Sequence, residues 1–434
     1  MNALTVSTVM MLIIFVTLLI GFPIALGLGA GAVVAMMLIL PFEQAAIVSA
    51  QRMFTGINSF SLLAIPFFVL AGNIMSNGGI AGRLIDCARL VASRLPGYLA
   101  QTNIVSNMLF GCVSGSGMAA TAAMGSILAP LEEKEGYDKN FSAAVNAASG
   151  PAGMLIPPSN IMIIFAMTAG GVSIAALFVG GYIPGILWGL GCMVVAGFQA
   201  KKRGYTSREI FTFWQGVTIL WRAIPSLFLI VVVIGGILGG IFTPTEGSAI
   251  AVAYSLLLSI IYRSIKLEDM PNILFESVKI TAVVQFLVCM SAIMSFVMAR
   301  TRLPQTVATA VLGVTDNFII VILLINILML IIGLFLDPTP SVLILTPIFL
   351  PIALMFGMHP VHFGIMLVFN KSIGTITPPV GPILFTACRV GNVKIEGILG
   401  PLWPYYIMLV LLLLLVIFIP GLSLALPRAL GLIV

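Results

Sequence analysis

The residues best placed to do chemistry in this chain are two proline pairs. The stretch Gly153-Met-Leu-Ile-Pro-Pro-Ser-Asn160 recurs in altered form 221 positions later as Gly374-Thr-Ile-Thr-Pro-Pro-Val-Gly381, each in the middle of a long apolar segment. A double proline removes two backbone donors and its rings collide with the preceding turn, so an α-helix cannot run through it. Within a bilayer the freed carbonyls and amides persist only where protein, an ion or a solute meets them. The chemistry on offer is therefore ligation by backbone oxygens and helix ends, and paired breaks in two halves of a chain point to a secondary transporter's binding centre. Two turn-like centres, Ser114-Gly-Ser-Gly117 and Asp337-Pro-Thr-Pro-Ser341, add hydroxyls and a carboxylate.

Catalysis has no comparable footing. The chain has no HExxH, no paired intramembrane aspartates, no plausible Cys-His arrangement and no Gly-Lys dipeptide, which argues against an embedded enzyme and an ATP-driven pump. Its cysteines (87, 112, 192, 289 and 388) are scattered without a CxxC pair and read as small apolar packing residues.

Composition fixes what must carry the breaks. Hydrophobic residues make up 60% of the chain and charged ones 8%, against roughly a quarter charged in a soluble domain. The chain reads as an all-α polytopic membrane protein. The net charge of +6 is not a nucleic-acid signal, because the charges fall between apolar segments. Leu4 to Leu40 has no basic leader or small-residue cleavage site and reads as two mature spans. Hydropathy predicts crossings at 3–20, 23–40, 59–78, 139–168, 174–199, 215–236, 245–262, 273–298, 361–390 and 402–426. The stretches 98–131 and 317–356 read instead as re-entrant hairpins of two half-length helices, giving about ten full spans, two hairpins and two broken helices.

Basic residues orient this arrangement. Arg83, Arg89, Arg94, Lys134, Lys139, Lys201, Lys202, Arg203, Arg208, Arg263, Lys266, Arg389 and Lys394 fall on one side, and Arg52, Arg300, Arg302 and Arg428 on the other. The richer side is expected to be cytoplasmic, placing both termini in the periplasm. The hairpins then open from opposite faces, as two inverted repeats. Residues 1–200 form the first, 201–212 a cytoplasmic linker and 213–434 the second. At the offset of 221, Pro130, Gly136, Gly153, Pro157, Pro158 and Gly170 coincide with Pro351, Gly357, Gly374, Pro378, Pro379 and Gly391. These residue types fix backbone breaks, so their agreement supports the repeat independently of hydropathy.

These motifs together resemble the large membrane subunit of tripartite ATP-independent periplasmic (TRAP) transporters. The resemblance runs through Arg94-Leu-Pro-Gly97, Ser114-Gly-Ser-Gly117, Leu155-Ile-Pro-Pro-Ser159, Gly240-Ile-Phe-Thr-Pro-Thr-Glu246, Asp337-Pro-Thr-Pro340 with Thr346-Pro-Ile348, and Ile376-Thr-Pro-Pro-Val-Gly381. It implies a sodium-driven elevator with a moving transport domain and a fixed scaffold, in the bacterial inner membrane. It also implies an organic-acid substrate such as sialic acid, a C4-dicarboxylate or a sugar acid, delivered by a periplasmic binding protein. A second, small membrane subunit is expected as a separate chain, and no cofactor beyond the coupling ion.

Combined with that resemblance, the break geometry places two sodium pockets. One joins Ser114, Gly115, Ser116 and Gly117 to Ser149, Gly150 and Gly153; the other joins Thr339, Pro340 and Ser341 to Gly374, Thr375 and Thr377. The substrate carboxylate is expected between them, at half-helix N-termini with Ser159 and Asn160. Lys371 lies roughly 15 Å into its span at 1.5 Å per residue; it can hold the substrate or act as a structural counter-ion. Asp337 can assist a cation or cap a helix whose first residue is proline. Glu246, three residues after Thr243, reads as half of a capping box, and His359 and His362 as a solvated loop. Short arms are expected at Arg83 to Leu95 and Arg300 to Val311. Trp188, Trp214 and Trp221 are expected on a scaffold surface, anchoring at the interface or meeting the small subunit. The rival reading is a stand-alone sodium-coupled anion symporter or antiporter of the same superfamily.

Overall fold

The computed structural model describes residues 3–205, 209–313, 315 and 317–433. Arg208 and part of the 201–212 linker lie outside them. The described residues are helical, with no strand among them. The exterior of the long helices is apolar: Val231, Phe275 and Leu411 are more than half exposed, as befits lipid-facing surface. Seven helices are long and apolar enough to cross a membrane, eight if Lys139–Leu155 and Asn160–Thr168, bent by 47°, are taken as one span.

Both predicted hairpins form, with longer arms than expected. Tyr98–Ser114 and Gly117–Lys134 make the first, Phe318–Gly333 and Pro338–Met355 the second. At 1.5 Å per residue each arm is about 24–27 Å, nearly a bilayer core rather than half of one. A single tight turn divides each apolar stretch almost evenly, leaving sixteen to eighteen residues on either side. At the first tip Gly115 takes φ +62°, a left-handed conformation glycine adopts at little cost.

Both proline pairs break their helices. The first segment runs Lys139–Ser149, a single turn Ala152–Leu155, then Asn160–Thr168; the second runs Pro360–Gly374, then Pro382–Gly391. Pro157-Pro158 and Pro378-Pro379 are both cis. Each broken segment packs against its own hairpin, and the helix after each break crosses to the other half. Asn160–Thr168 lies on Pro338–Met355, and Pro382–Gly391 lies on Gly117–Lys134. The tips thereby meet the breaks at one depth.

Hydropathy missed Phe42–Ile57. This amphipathic helix packs on Met270–Arg300, where the Arg52 guanidinium sits 4.2 Å above the Phe296 ring. Its apolar residues are too interspersed with polar ones to register as a span. The short helices expected as arms span Ile80–Ala92 and Leu303–Leu312, so Arg300 ends the preceding long helix instead of starting one of them. Arg89–Glu209, Arg203–Asp138 and Lys139–Glu133 ion pairs tie the first arm, the linker and the first hairpin's base together.

Two readings need correction. Trp188 is fully buried rather than at a surface; its Nε1 donates to the Ala148 carbonyl at 2.8 Å and its ring packs on Phe369. Trp214 and Trp221 are exposed as expected. His362 is buried, with ring nitrogens 2.7 Å from Ser423 Oγ and 3.3 Å from the Ile417 carbonyl. Short-range hydropathy cannot see the neighbours that bury Trp188 and His362. The Thr243–Glu246 capping box is present in both directions.

Candidate functional site

A cavity of about 410 Å³ lies where the two hairpin tips approach each other, within the range of small-ligand sites. Ser114, Gly115, Ser116 and Gly117 line it from the first tip, and Asp337, Thr339 and Pro340 from the second. Asn160 and Thr375 reach it from the two broken segments. Of the sequence-derived site residues, these nine converge on one space.

The tips are shaped by helix starts. Ser116 caps Gly117–Lys134, its hydroxyl accepting from the Ala119 amide at 3.3 Å. Asp337, 221 positions on, occupies the corresponding position before Pro338–Met355, but its side chain makes no capping bond. Its carboxylate is thus available to the cavity. Of the two sequence readings of Asp337, the side-chain cap is not the one formed. Gly115 packs against the first break: a Cβ there would lie 3.1 Å from the Pro158 carbonyl and 3.3 Å from Asn160 Nδ2. Asn160 Oδ1 is buried without a hydrogen-bond partner, an acceptor oriented for something else to meet.

The remaining site residues lie behind this surface. Ser149 accepts from Asn107 Nδ2 at 2.8 Å and donates to the Val145 carbonyl. The Gly150 carbonyl faces Gly117, while Gly153 lies backbone to backbone with Gly111. Ser159 donates to the Met154 carbonyl at 2.6 Å, Ser341 to the Leu336 carbonyl at 3.4 Å and Thr377 to the Ile373 carbonyl at 2.7 Å. Gly374 abuts Gly333. Lys371 is buried away from the cavity, its Nζ donating to the Met329 carbonyl of the second hairpin. Several carbonyls at the second break are met by protein: Thr375 O accepts from the Ile383 amide at 3.0 Å, and Ile376 O from the Tyr406 hydroxyl at 2.6 Å.

Two charges went unnoticed in the sequence. Glu276 and Lys279, on Met270–Arg300, line the opposite wall with Asn73, whose amide donates to Ser277 Oγ at 2.7 Å. Their signal was available: two opposite charges three residues apart inside an apolar segment share one helix face, and intramembrane charge marks a functional site by default. Lys279 supplies the cavity with a cation that Lys371 does not. With hydroxyls, amides, two carboxylates and an ammonium, the cavity can hold both a small cation and an anionic solute.

The family described as "Tripartite ATP-independent periplasmic transporter, DctM component" matches residues 11–422. The chain is 46% identical over 412 residues to the uncharacterized protein YgiK of Salmonella typhimurium, covering 95% of each chain. It is 40% identical to the isethionate TRAP transporter permease protein DctMQ of Oleidesulfovibrio alaskensis, over 93% of this chain and 64% of that one. With the C4-dicarboxylate TRAP transporter large permease protein DctM of Rhodobacter capsulatus it shares 35% identity, over 95% and 97% of the two chains. The crystal structure of the Alcanivorax borkumensis YdaH transporter shares the fold, with a TM-score of 0.67 over 88% of this chain and 90% of that one at 13% identity. Hairpins, breaks and matched length agree, and the chain belongs to the DctM family, the large permease component of TRAP transporters, and is not an enzyme.

Proposed function

We propose that this chain couples sodium entry to uptake of an organic acid across the bacterial inner membrane by an elevator mechanism. A separate small membrane subunit and a periplasmic binding protein complete the transporter. The observation that carries the reading is the shared cavity, in which both hairpin tips and residues of both broken segments face one space. In this reading residues 1–200 and 213–434 are inverted repeats, the hairpins and broken segments move together, and the remaining helices stand still. Two inverted halves give alternating access its simplest geometry, because exchanging their conformations opens the site to the other side.

The coupling ion lies against the first tip, where Ser114, Ser116 and Asn160 offer oxygens to a hard cation. The second tip offers Asp337, Thr339 and Thr375. The solute's acid group faces Lys279 and the tips. Relatives named for isethionate and C4-dicarboxylate take a sulfonate and carboxylates respectively, so the shared requirement is a small organic anion. Sialic acid and sugar acids remain within that class, and the binding protein does much of the selecting.

Reconstitution into proteoliposomes tests this. Uptake of the binding protein's ligand should require an inward sodium gradient, the binding protein and the small subunit. Ser116→Ala should raise the sodium concentration for half-maximal uptake while leaving assembly intact. Uptake by this chain alone would favour a stand-alone symporter, and uptake indifferent to sodium would sink the coupling.

A further inference from the structure

A second cavity, of about 160 Å³, lies at the base of the first hairpin, far along the chain from its tip. Its wall includes Glu132, Ser142, Asn103 and Asn146. Glu132 is fully buried, yet none of the described ion pairs engages it. Its Oε1 accepts from Asn103 Nδ2 at the long distance of 3.5 Å, and its Oε2 has no hydrogen-bond partner. Ser142 Oγ, also buried, lies toward the Glu132 carboxylate without a well-formed hydrogen bond. The other charges on this wall are Glu133 and Lys139, which pair with each other at 2.8 Å near the exposed rim. Lys139 is therefore already compensated, and Glu132 is the charge left over. An unpaired buried carboxylate costs several kcal/mol, so Glu132 needs either a proton or a positive partner, and the cavity beside it leaves room for the second. A cavity this size holds several waters at about 30 Å³ each, and thus has room for a cation that keeps part of its hydration shell.

This cavity is wired to the first break. Asn107 Nδ2 contacts Asn103 Oδ1 at 2.8 Å, Asn146 Oδ1 at 3.0 Å and Ser149 Oγ at 2.8 Å. Asn146 in turn donates to the Thr121 carbonyl at 3.0 Å. All four side chains are buried. They form a polar thread through the hairpin's interior, from Glu132 to the residues behind the first tip.

We propose that the Glu132 cavity binds a monovalent cation, sodium, and is the station through which an ion leaves the first hairpin toward the hairpin's base. Glu132 and Ser142 supply the carboxylate and hydroxyl oxygens, and the asparagine thread links the station to Ser149. The cavity's affinity stands on its own geometry; its role as an exit rests on the sodium coupling proposed above.

The test is ²²Na⁺ binding to the full-length chain in lipid nanodiscs. Glu132→Gln should remove one saturable component while Ser116→Ala weakens a different one. Glu132→Asp should restore the lost component with lower affinity, and Ser142→Ala should weaken it severalfold. Monodisperse elution and unchanged helical content establish that each variant is folded; if Glu132→Gln is not, Ser142→Ala and Glu132→Asp decide. Unchanged sodium binding in the folded variants, or none in the wild type, overturns the station. Loss in Ser116→Ala but not in Glu132→Gln overturns the station and leaves tip coupling standing, whereas the reverse result keeps the station and removes the tip.

Discussion

The two hairpin-and-break units use the same backbone device and put opposite charges inside it. In the first, Glu132 lies buried with an oxygen that no donor meets. In the second, Lys371 lies buried with its ammonium on the Met329 carbonyl. Around each charge an asparagine of the hairpin's first helix bonds the broken segment: Asn107 to Asn146 and Ser149, and Asn326, whose carbonyl and Oδ1 accept from Asn370. Seen this way, the second unit carries a tethered cation and the first leaves room for a mobile one. On the sodium-station proposal, one unit is pinned while the other exchanges its ion.

The largest effect should come from Lys371. Lys371→Glu sets a carboxylate against a carbonyl with no donor between them, at a cost of several kcal/mol, and should sharply reduce folded protein in the membrane. Lys371→Met keeps the bulk but removes the ammonium's hydrogen bond to the Met329 carbonyl, costing about 1–3 kcal/mol and lowering the thermal midpoint in detergent. If Lys371→Met melts with the wild type but loses solute binding, the ammonium belongs to the substrate and the contrast with Glu132 fails.

Next in size are the glycine contacts that let each broken segment approach its hairpin. Gly153 faces Gly111 backbone to backbone, and a methyl on Gly374 would come within 2.7 Å of the Gly333 carbonyl oxygen. Gly153→Ala and Gly374→Ala should each destabilise by about 1–3 kcal/mol, the usual cost of overpacking. Gly153→Ala should be the worse, because its methyl would come closer to Gly111 Cα than the 2.7 Å approach at Gly374. Gly235→Ala, which faces open space on a helix, should be neutral or slightly stabilising. Equal melting of all three would show that close backbone approach does not hold the units together.

How much of this was legible in the sequence follows from range. Proline pairs and glycine turns act on their own backbone, so both breaks and both tips could be read directly, along with the Thr243–Glu246 box. Burial by distant segments left no local mark, which is why Trp188 and His362 looked superficial and Lys371 could be read either as a ligand or as a structural counter-ion. Glu276 and Lys279 were hidden differently: a window average over Met270–Arg300 absorbs two charges without losing its apolar character. Glu132 stands in the charged run Glu132-Glu-Lys-Glu135, and only the fold reveals that Asn103 and Ser142 close over it.

The smallest test concerns how the broken segments begin. Asp138 caps the first, accepting from the Phe141 amide at 2.9 Å; His359, at the matching offset of 221, caps the second, its Nδ1 accepting from the Val361 amide at 3.2 Å. Nδ1 can accept only while the ring is neutral. Burial, and then the Arg428 guanidinium, hold the His359 imidazole below its ordinary range. With the folded value below an unfolded one of about 6.5, the cap's stability is present above that pH and declines as pH falls through it toward the folded value. Because His359 is half-exposed, solvent should keep the loss under about 1 kcal/mol. The thermal midpoint should therefore dip slightly as pH falls below about 6.5, and His359→Asp should flatten the dip by giving the second unit the first unit's cap. A dip that survives His359→Asp would place the titrating group elsewhere, and the two segment starts would then be alike in their response to acid.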